Sequence, residues 1–203
     1  MKRGSVSKKK KTALLIVDVQ PTFCEGGSLP VEGGNQVAAK IGDLIVGGHE
    51  YDMVVTTQDW HIDPEGHFDD DPDFVNTWPH HGVAGTAEAE LHPSLIPLLD
   101  QVTVQIKKGE YAAAYSGFEG ADENGSSLNE ILSSASIERI ETVGLAFDHC
   151  VKETALDGAK LGYEVVVLKS FTAPVSLETA ELAEAELQAA GVQIEHILHE
   201  REQ

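Results

Sequence analysis

Six short apolar runs rich in β-branched residues constrain the fold of this chain more than any other feature. They cover residues 13–17, 53–57, 102–106, 140–146, 164–168 and 193–198. Each run is mostly continuous rather than alternating, which is typical of strands buried on both faces of a parallel sheet. Stretches with a helical pattern lie between several of them, at residues 35–47, 125–135, 150–161 and 176–190.

The alternation of strands and helices predicts one α/β domain. Connections between parallel strands are right-handed and place helices on the sheet. We therefore predict a single-domain, doubly wound, mainly parallel six-stranded sheet with helices on both faces. The chain of 203 residues suits one such domain. The predicted division is a basic, disordered tail over residues 1–12 and a folded domain over residues 13–203.

Charge and hydropathy exclude two classes of partner. Residues 13–203 contain eight basic residues against all 34 acidic ones, because the other basic residues precede residue 13. A domain with this excess of negative charge repels nucleic-acid backbones, so we expect no nucleic-acid partner. No apolar run approaches the ~18 residues that span a bilayer, and no signal-peptide pattern opens the chain. We therefore expect a cytoplasmic protein without a membrane partner.

Reactive side chains follow the predicted strands. Asp18 ends the first strand, Asp59 comes shortly after the second, Lys108 follows the third, and Cys150 lies just beyond the fourth. Ligands bind at the carboxyl ends of the strands in open parallel sheets, so we expect these side chains to converge. The Asp18 charge needs a partner if it is buried. Cys150 precedes a predicted helix, whose positive end favours the thiolate.

The second thiol, Cys24, lies in a Gly-rich loop without a strand end beside it. We interpret it as a buried, inert cysteine. Two cysteines are too few for a disulfide framework. The nucleophile predicted from the sequence is therefore Cys150.

The loop between the second and third predicted strands is the candidate metal site. It has no clear periodicity and holds five of the nine histidines; long loops of this kind are usually functional. Asp59, His61 and His67 form the pattern D-x-H-x5-H, and His80 and His81 follow. A carboxylate with imidazoles suits one divalent ion of zinc, iron or manganese. The alternative is that these histidines are ordinary loop residues.

Five segments stand in order along almost the whole chain after the tail. They are LLIVDVQPTFCEGGSLPV from Leu14, TTQDWHIDPEGHF from Thr56, TWPHHGVAGT from Thr77, KKGEYAAAYSGFEG from Lys107 and VGLAFDHCVKETALDG from Val143. With these segments the chain resembles the nicotinamidases (pyrazinamidases) of the isochorismatase-like cysteine hydrolase superfamily. The resemblance implies an isochorismatase-like, flavodoxin-like fold for residues 13–203.

The resemblance also implies the site residues. The catalytic triad would be Asp18, Lys108 and Cys150, with Lys108 chosen over Lys107 because the family's lysine directly precedes a glycine. Backbone N–H groups of Ala146 and Cys150 would stabilise the oxyanion, beside a non-proline cis peptide that precedes Ala146. The remaining implied residues are the metal ligands Asp59, His61, His67 and His81, with His80 as second choice, and the pyridine-binding residues Phe23, Trp78 and Tyr115.

The implied reaction is hydrolysis of nicotinamide to nicotinate and ammonia, and of pyrazinamide to pyrazinoate, through a Cys thioester in NAD salvage. The metal would anchor the ring nitrogen. Departures from the family pattern at Pro21, Thr22, Gly82 and Phe147 concern substrate preference more than the reaction. The alternatives are a hydrolase of N-carbamoyl amides, a hydrolase that uses metal-activated water, and a non-catalytic metal-binding protein. Homo-oligomerisation stays open.

Overall fold

The computed structural model describes residues 9–196. Six parallel strands form one sheet in the order β3-β2-β1-β4-β5-β6. The strands are β1 (Thr12–Val17), β2 (Met53–Asp59), β3 (Val104–Lys108), β4 (Arg139–Leu145), β5 (Glu164–Ala173) and β6 (Gln193–Glu195). The predicted six-stranded parallel sheet is confirmed.

Helices cover both faces of the sheet. Helix α1 (Gly34–Val46) packs on one face, and α2 (Leu128–Ser134), α3 (Lys152–Lys160) and α4 (Leu177–Ala189) pack on the other. The predicted helix over residues 150–161 begins earlier than expected, because a π-helical turn over Phe147–Val151 runs into α3.

Strand β1 lies at the centre of the sheet, between β2 and β4. Leu14 and Ile16 belong to the core beneath α1, whereas Leu15 and Val17 belong to the core beneath the other helices. All four side chains are fully buried. Burial on both faces explains why the run is continuously apolar rather than alternating.

The order in which strands are added to the sheet reverses at β1. Strands β2 and β3 follow on one side of β1, and the chain then crosses to β4 on the other side. Such a reversal opens a crevice at the carboxyl ends of the two central strands. Asp18, which follows β1, and the π-helical turn after β4 border that crevice.

The beginning of the described chain differs from the predicted tail. Lys9 and Lys10 form ion pairs with Glu50 and Glu164. The carbonyl of Lys11 accepts hydrogen bonds from two backbone N–H groups that lead into β4. Strand β1 thus begins at Thr12, one residue inside the predicted tail, because backbone hydrogen bonds hold Lys11 and Thr12 against the neighbouring segments.

Other predictions about the ends of the chain lie outside the described residues. These are the tail over residues 1–8 and the last two positions of the run 193–198. Within residues 9–196, no helix combines the length and the apolar character that crossing a bilayer requires.

Candidate active site

Asp18 leaves β1 with an unusual backbone conformation. Its φ of 48° lies in the left-handed region, which Asp tolerates better than most residues. The side chain is fully buried, and its Oδ1 accepts a hydrogen bond from the Thr57 hydroxyl at 2.6 Å. Burial raises the pKa of Asp18, while the Lys108 ammonium opposes that shift. The carboxyl group is thus suited to hold or release a proton.

Lys108 connects the acidic groups of the site. It is the last residue of β3 and pairs in register with Asp59 at the end of β2. Its buried Nζ lies 3.0 Å from Oδ2 of Asp18 and forms an ion pair with Asp59. It also donates to the Ala114 carbonyl at 3.1 Å and lies 3.8 Å from Sγ of Cys150. The structure therefore brings the three predicted triad residues together.

The protonation of Lys108 follows from its neighbours. Burial alone would lower the pKa of the ammonium group, but the Asp18 and Asp59 carboxylates raise it well above the ordinary value. A buried charge is stable only when it is paired in this way. In the resting site Lys108 is therefore a cation that stabilises negative charge on its neighbours.

Cys150 lies within the π-helical turn and is 8% exposed. Burial raises the pKa of its thiol well above the ordinary value; Lys108 opposes the shift, and Asp18 and Asp59 add to it. The expected preference for the thiolate is therefore wrong for the resting site. The helical turn begins at Phe147 rather than at Cys150, so the thiol lies inside the turn. Its proton must be removed as the sulfur reacts.

Cys24 lies away from these groups, in the core beneath α1. It is 1% exposed. Burial and the nearby Glu25 raise the pKa of its thiol to about 11. The structure agrees with the interpretation of Cys24 as a buried cysteine of the core.

Three imidazoles and one carboxylate form a second buried group beside Lys108. Ligand atoms of His61, His67 and His81 all lie within 4.8 Å of one another. Oδ2 of Asp59 lies 3.5 Å from Nε2 of His61 and 3.6 Å from Nε2 of His81. His80, the second choice from the sequence, lies outside this cluster of ligand atoms. The structure therefore places His81 in this group and leaves His80 outside it.

Backbone carbonyls orient two of these imidazoles. Nδ1 of His61 lies 2.6 Å from the Gly109 oxygen, and Nδ1 of His81 lies 2.7 Å from the Pro79 oxygen. Each Nδ1 therefore carries the proton, and each Nε2 presents a free lone pair towards Asp59. Among the described residues, Nε2 of His61 is buried with no hydrogen-bond partner.

The electrostatics of the group also suit a metal ion. Burial, together with His81 and His61, lowers the pKa of His67 to about 4. Burial would raise the pKa of Asp59, but the Lys108 ammonium holds it well below the ordinary value. Neutral imidazoles with one carboxylate are the donor set that divalent zinc, iron and manganese share.

A cavity joins the two groups. It is lined by Cys150 and Ala146 and also by Asp59, His67 and His81 of the imidazole group. The predicted aromatic residues Phe23, Trp78 and Tyr115 line it as well. Nε1 of Trp78 donates to the Tyr115 hydroxyl at 2.9 Å, which fixes both rings. The peptide between Leu145 and Ala146 is cis, as the resemblance implied.

Some residues around the site were not foreseen from the sequence. Val31, His149 and Val175 line the same cavity. They come from three separate segments, and no local pattern marks any of them. Thr57 and Gln20 hold the two carboxylate residues in place. Thr57 bonds Asp18, and the side-chain amide of Gln20 bonds the backbone N–H and carbonyl of Asp59, at 2.9 and 3.0 Å.

Comparison with known proteins agrees with this geometry. The family model of the isochorismatase domain matches residues 12–197. A nicotinamidase/pyrazinamidase of Mycobacterium tuberculosis is 45% identical over 182 residues, which are 90% of this chain and 97% of the relative. The L. infantum protein solved in complex with nicotinate is 35% identical, with a TM-score of 0.77 and coverage of 92% of each chain.

A third comparison concerns the metal. The pyrazinamidase of Pyrococcus horikoshii, solved in complex with zinc, has a TM-score of 0.74 and 32% identity; the match covers 92% of this chain and 99% of that one. The parallel sheet with its site at the strand ends and these similarities define the chain as a hydrolase of α/β architecture that acts on amides. It belongs to the isochorismatase family.

Proposed function

We propose that this chain hydrolyses nicotinamide to nicotinate and ammonia, and pyrazinamide to pyrazinoate, as a step in NAD salvage. The observation that carries the proposal is one cavity that reaches both Cys150 and the imidazole group. A pyridine carboxamide has two polar ends, and this cavity offers a partner for each. The similarity to nicotinamidases over about nine-tenths of the chain supports the same substrate.

Asp18 and Cys150 carry the bond-breaking steps. Asp18 takes the proton of the thiol as Sγ adds to the carboxamide carbon. When the tetrahedral intermediate collapses, the C–N bond breaks and Asp18 returns that proton to the nitrogen, so ammonia leaves. Water then adds to the thioester and gives its proton to Asp18. The C–S bond breaks, nicotinate forms, and the thiol is regenerated with the proton from Asp18.

Lys108 acts by charge. Its raised pKa keeps it protonated through the cycle, so it does not shuttle protons. It lies 3.0 Å from Asp18 and 3.8 Å from the sulfur, and it stabilises the negative charge that passes between them. This position explains how a thiol with a raised pKa can act as a nucleophile when Asp18 accepts its proton.

The backbone N–H groups of Ala146 and Cys150 are the proposed donors to the oxyanion. Both residues border the cavity, and donors that are fixed before the reaction contribute most to such stabilisation. Phe23, Trp78 and Tyr115 would hold the flat ring between their side chains.

Asp59, His61, His67 and His81 would hold one divalent metal ion, and when bound the ion supplies an anchor for the ring nitrogen. The zinc complex of the similar Pyrococcus horikoshii protein favours zinc, with iron and manganese as the other candidates. A cytoplasmic location and the absence of nucleic-acid and membrane partners stay predictions from the sequence.

An ammonia-release assay tests the proposed function. Purified protein with a measured metal content is given nicotinamide, pyrazinamide and an N-carbamoyl amide at equal concentrations. We expect turnover of the two pyridine-type carboxamides and little release from the carbamoyl compound. Preferred hydrolysis of the carbamoyl amide would instead identify the chain as an N-carbamoyl amide hydrolase.

A further inference from the structure

The side chain of Thr57 makes a reciprocal contact with Asp18. Thr57 lies on β2 and is fully buried. Its hydroxyl donates to Oδ1 of Asp18 at 2.6 Å and accepts the backbone N–H of Asp18 at 3.2 Å. The accepted N–H occupies a lone pair of the hydroxyl oxygen, so the single hydroxyl hydrogen is directed at the carboxylate.

The two oxygens of the Asp18 carboxyl group therefore differ. Oδ1 is held by Thr57, whereas Oδ2 lies 3.0 Å from Nζ of Lys108. Within residues 9–196, Oδ2 is buried and has no hydrogen bond of good geometry. The same Nζ lies 3.8 Å from Sγ of Cys150, so Oδ2 and the sulfur are neighbours of one cation.

We infer that Thr57 is a positioning residue that holds Oδ1 of Asp18 and thereby makes Oδ2 the oxygen that takes the Cys150 proton. The inference rests on the proposed function. If the proton arrives on Oδ2, Oδ1 becomes a carbonyl oxygen and keeps its bond from Thr57. If it arrived on Oδ1, two hydrogens would face each other and the buried contact would be lost. Thr57 thus fixes the direction of proton transfer without touching substrate.

The backbone makes this contact possible. Thr57 shares a face of β2 with Val55, and Val55 belongs to the core beneath α2 and α3. Strict alternation after Val17 would turn Asp18 towards the opposite face. The left-handed φ of Asp18 breaks that alternation, and its N–H also bonds the Thr57 carbonyl at 3.1 Å. The unusual conformation and the hydroxyl contact therefore belong to one arrangement.

The neighbouring residue offers a matched control. Thr56 is also fully buried on β2, but its hydroxyl has no hydrogen-bond partner among the described residues. Thr→Val at either position replaces one hydroxyl by a methyl group of similar size. Only Thr57→Val removes a contact with Asp18, so a difference between the two variants isolates that contact from effects of packing.

The first test compares Thr57→Val, Thr57→Ser and Thr56→Val in the metal-loaded protein. For Thr57→Val we expect kcat to fall about 10- to 100-fold, which is the rate effect of losing one hydrogen bond to a charged group. KM for nicotinamide, metal content and the Kd for nicotinate should stay unchanged, because the hydroxyl contacts none of the imidazoles. Thr57→Ser should restore most of kcat, and Thr56→Val should match the wild type.

The second test measures the thiol directly. The rate at which iodoacetamide alkylates Cys150 is followed in a Cys24→Ala background. Thr57→Val should slow it, while Thr57→Ser and Thr56→Val should not. Wild-type kcat and alkylation in Thr57→Val, or equal losses in Thr57→Val and Thr56→Val, would overturn the inference. If the wild-type protein does not hydrolyse nicotinamide, the proposed function is overturned instead. In that case the alkylation rates by themselves decide the role of Thr57.

Discussion

Sγ of Cys150, in the turn that follows β4, lies 3.8 Å from Nζ of Lys108, the last residue of β3. Burial raises the pKa of the thiol. The Lys108 ammonium opposes that rise, because its positive charge stabilises a thiolate. The same cavity is also lined by Asp59, His67 and His81 of the imidazole group, which are separate residues from the thiol. Chemistry at the sulfur and anchoring at the imidazoles can therefore be separated by mutation.

Cys150→Ala should abolish amide hydrolysis, because no other group in the cavity can form the thioester. We expect kcat/KM for nicotinamide to fall by on the order of 10⁴-fold or more. Metal content and nicotinate affinity should remain close to the wild type. Cys24→Ala is the control and should keep most of its activity. Substantial turnover in Cys150→Ala would favour hydrolysis by metal-activated water.

His81→Ala should lower metal content far more than His80→Ala. The two residues are adjacent, but only His81 joins the buried group around Asp59. Removing one imidazole leaves fewer ligands than a tight divalent site needs. Elemental analysis after dialysis measures the outcome, with His61→Ala and His67→Ala expected to resemble His81→Ala. Equal metal content in all four variants would remove the metal site from the proposal.

Benzamide should be a very poor substrate, because it has the same carboxamide as nicotinamide but no ring nitrogen. A site built to bind one polar group rejects an analogue that lacks it by about 10⁴. Ring packing against Phe23, Trp78 and Tyr115 would be nearly equal for the two compounds. Their kcat/KM values provide the measurement. Hydrolysis of benzamide within about tenfold of nicotinamide would show that the ring nitrogen is not anchored.

Asp148→Asn should destabilise the protein at neutral pH by about 1–3 kcal/mol. The carboxylate accepts hydrogen bonds from the Val175 N–H at 2.9 Å and from the Thr179 hydroxyl, and so ties α4 to the turn that carries Cys150. Burial would raise the pKa of Asp148, but the nearby His149 and hydrogen bonds from Thr179 and the Val175 backbone lower it to about 2.

The pH dependence of that effect has a definite sign. A carboxyl group with a lowered pKa stabilises the fold above its ordinary value of 3.8 and loses this contribution as the pH falls towards 2. Urea unfolding at a series of pH values should therefore show the two proteins converging in stability below pH 3.8. Asp157→Asn is the control, because Asp157 pairs with the exposed Lys160 on α3. A difference that stays constant as the pH falls from 3.8 towards 2 would contradict the assignment.

The sequence determined the sheet and most of the site because those signals are local. Continuous β-branched runs mark strands buried on both faces, and the residue that follows such a strand lies at the carboxyl edge. Asp18, Asp59, Lys108 and Cys150 could therefore be identified from the order of residues along the chain. The choice of His81 over His80 came from the family pattern, since spacing alone left both open.

Only the tertiary structure decided the protonation of the site. The sequence predicted a thiolate at Cys150 from a helix start, yet burial in the folded chain raises the pKa of the thiol. The hydroxyl of Thr57 reaches Asp18 across 39 positions of sequence, and that contact exists only because β1 and β2 pair in register. Desolvation and cross-strand contacts depend on segments far apart in the chain, so no local pattern carries them.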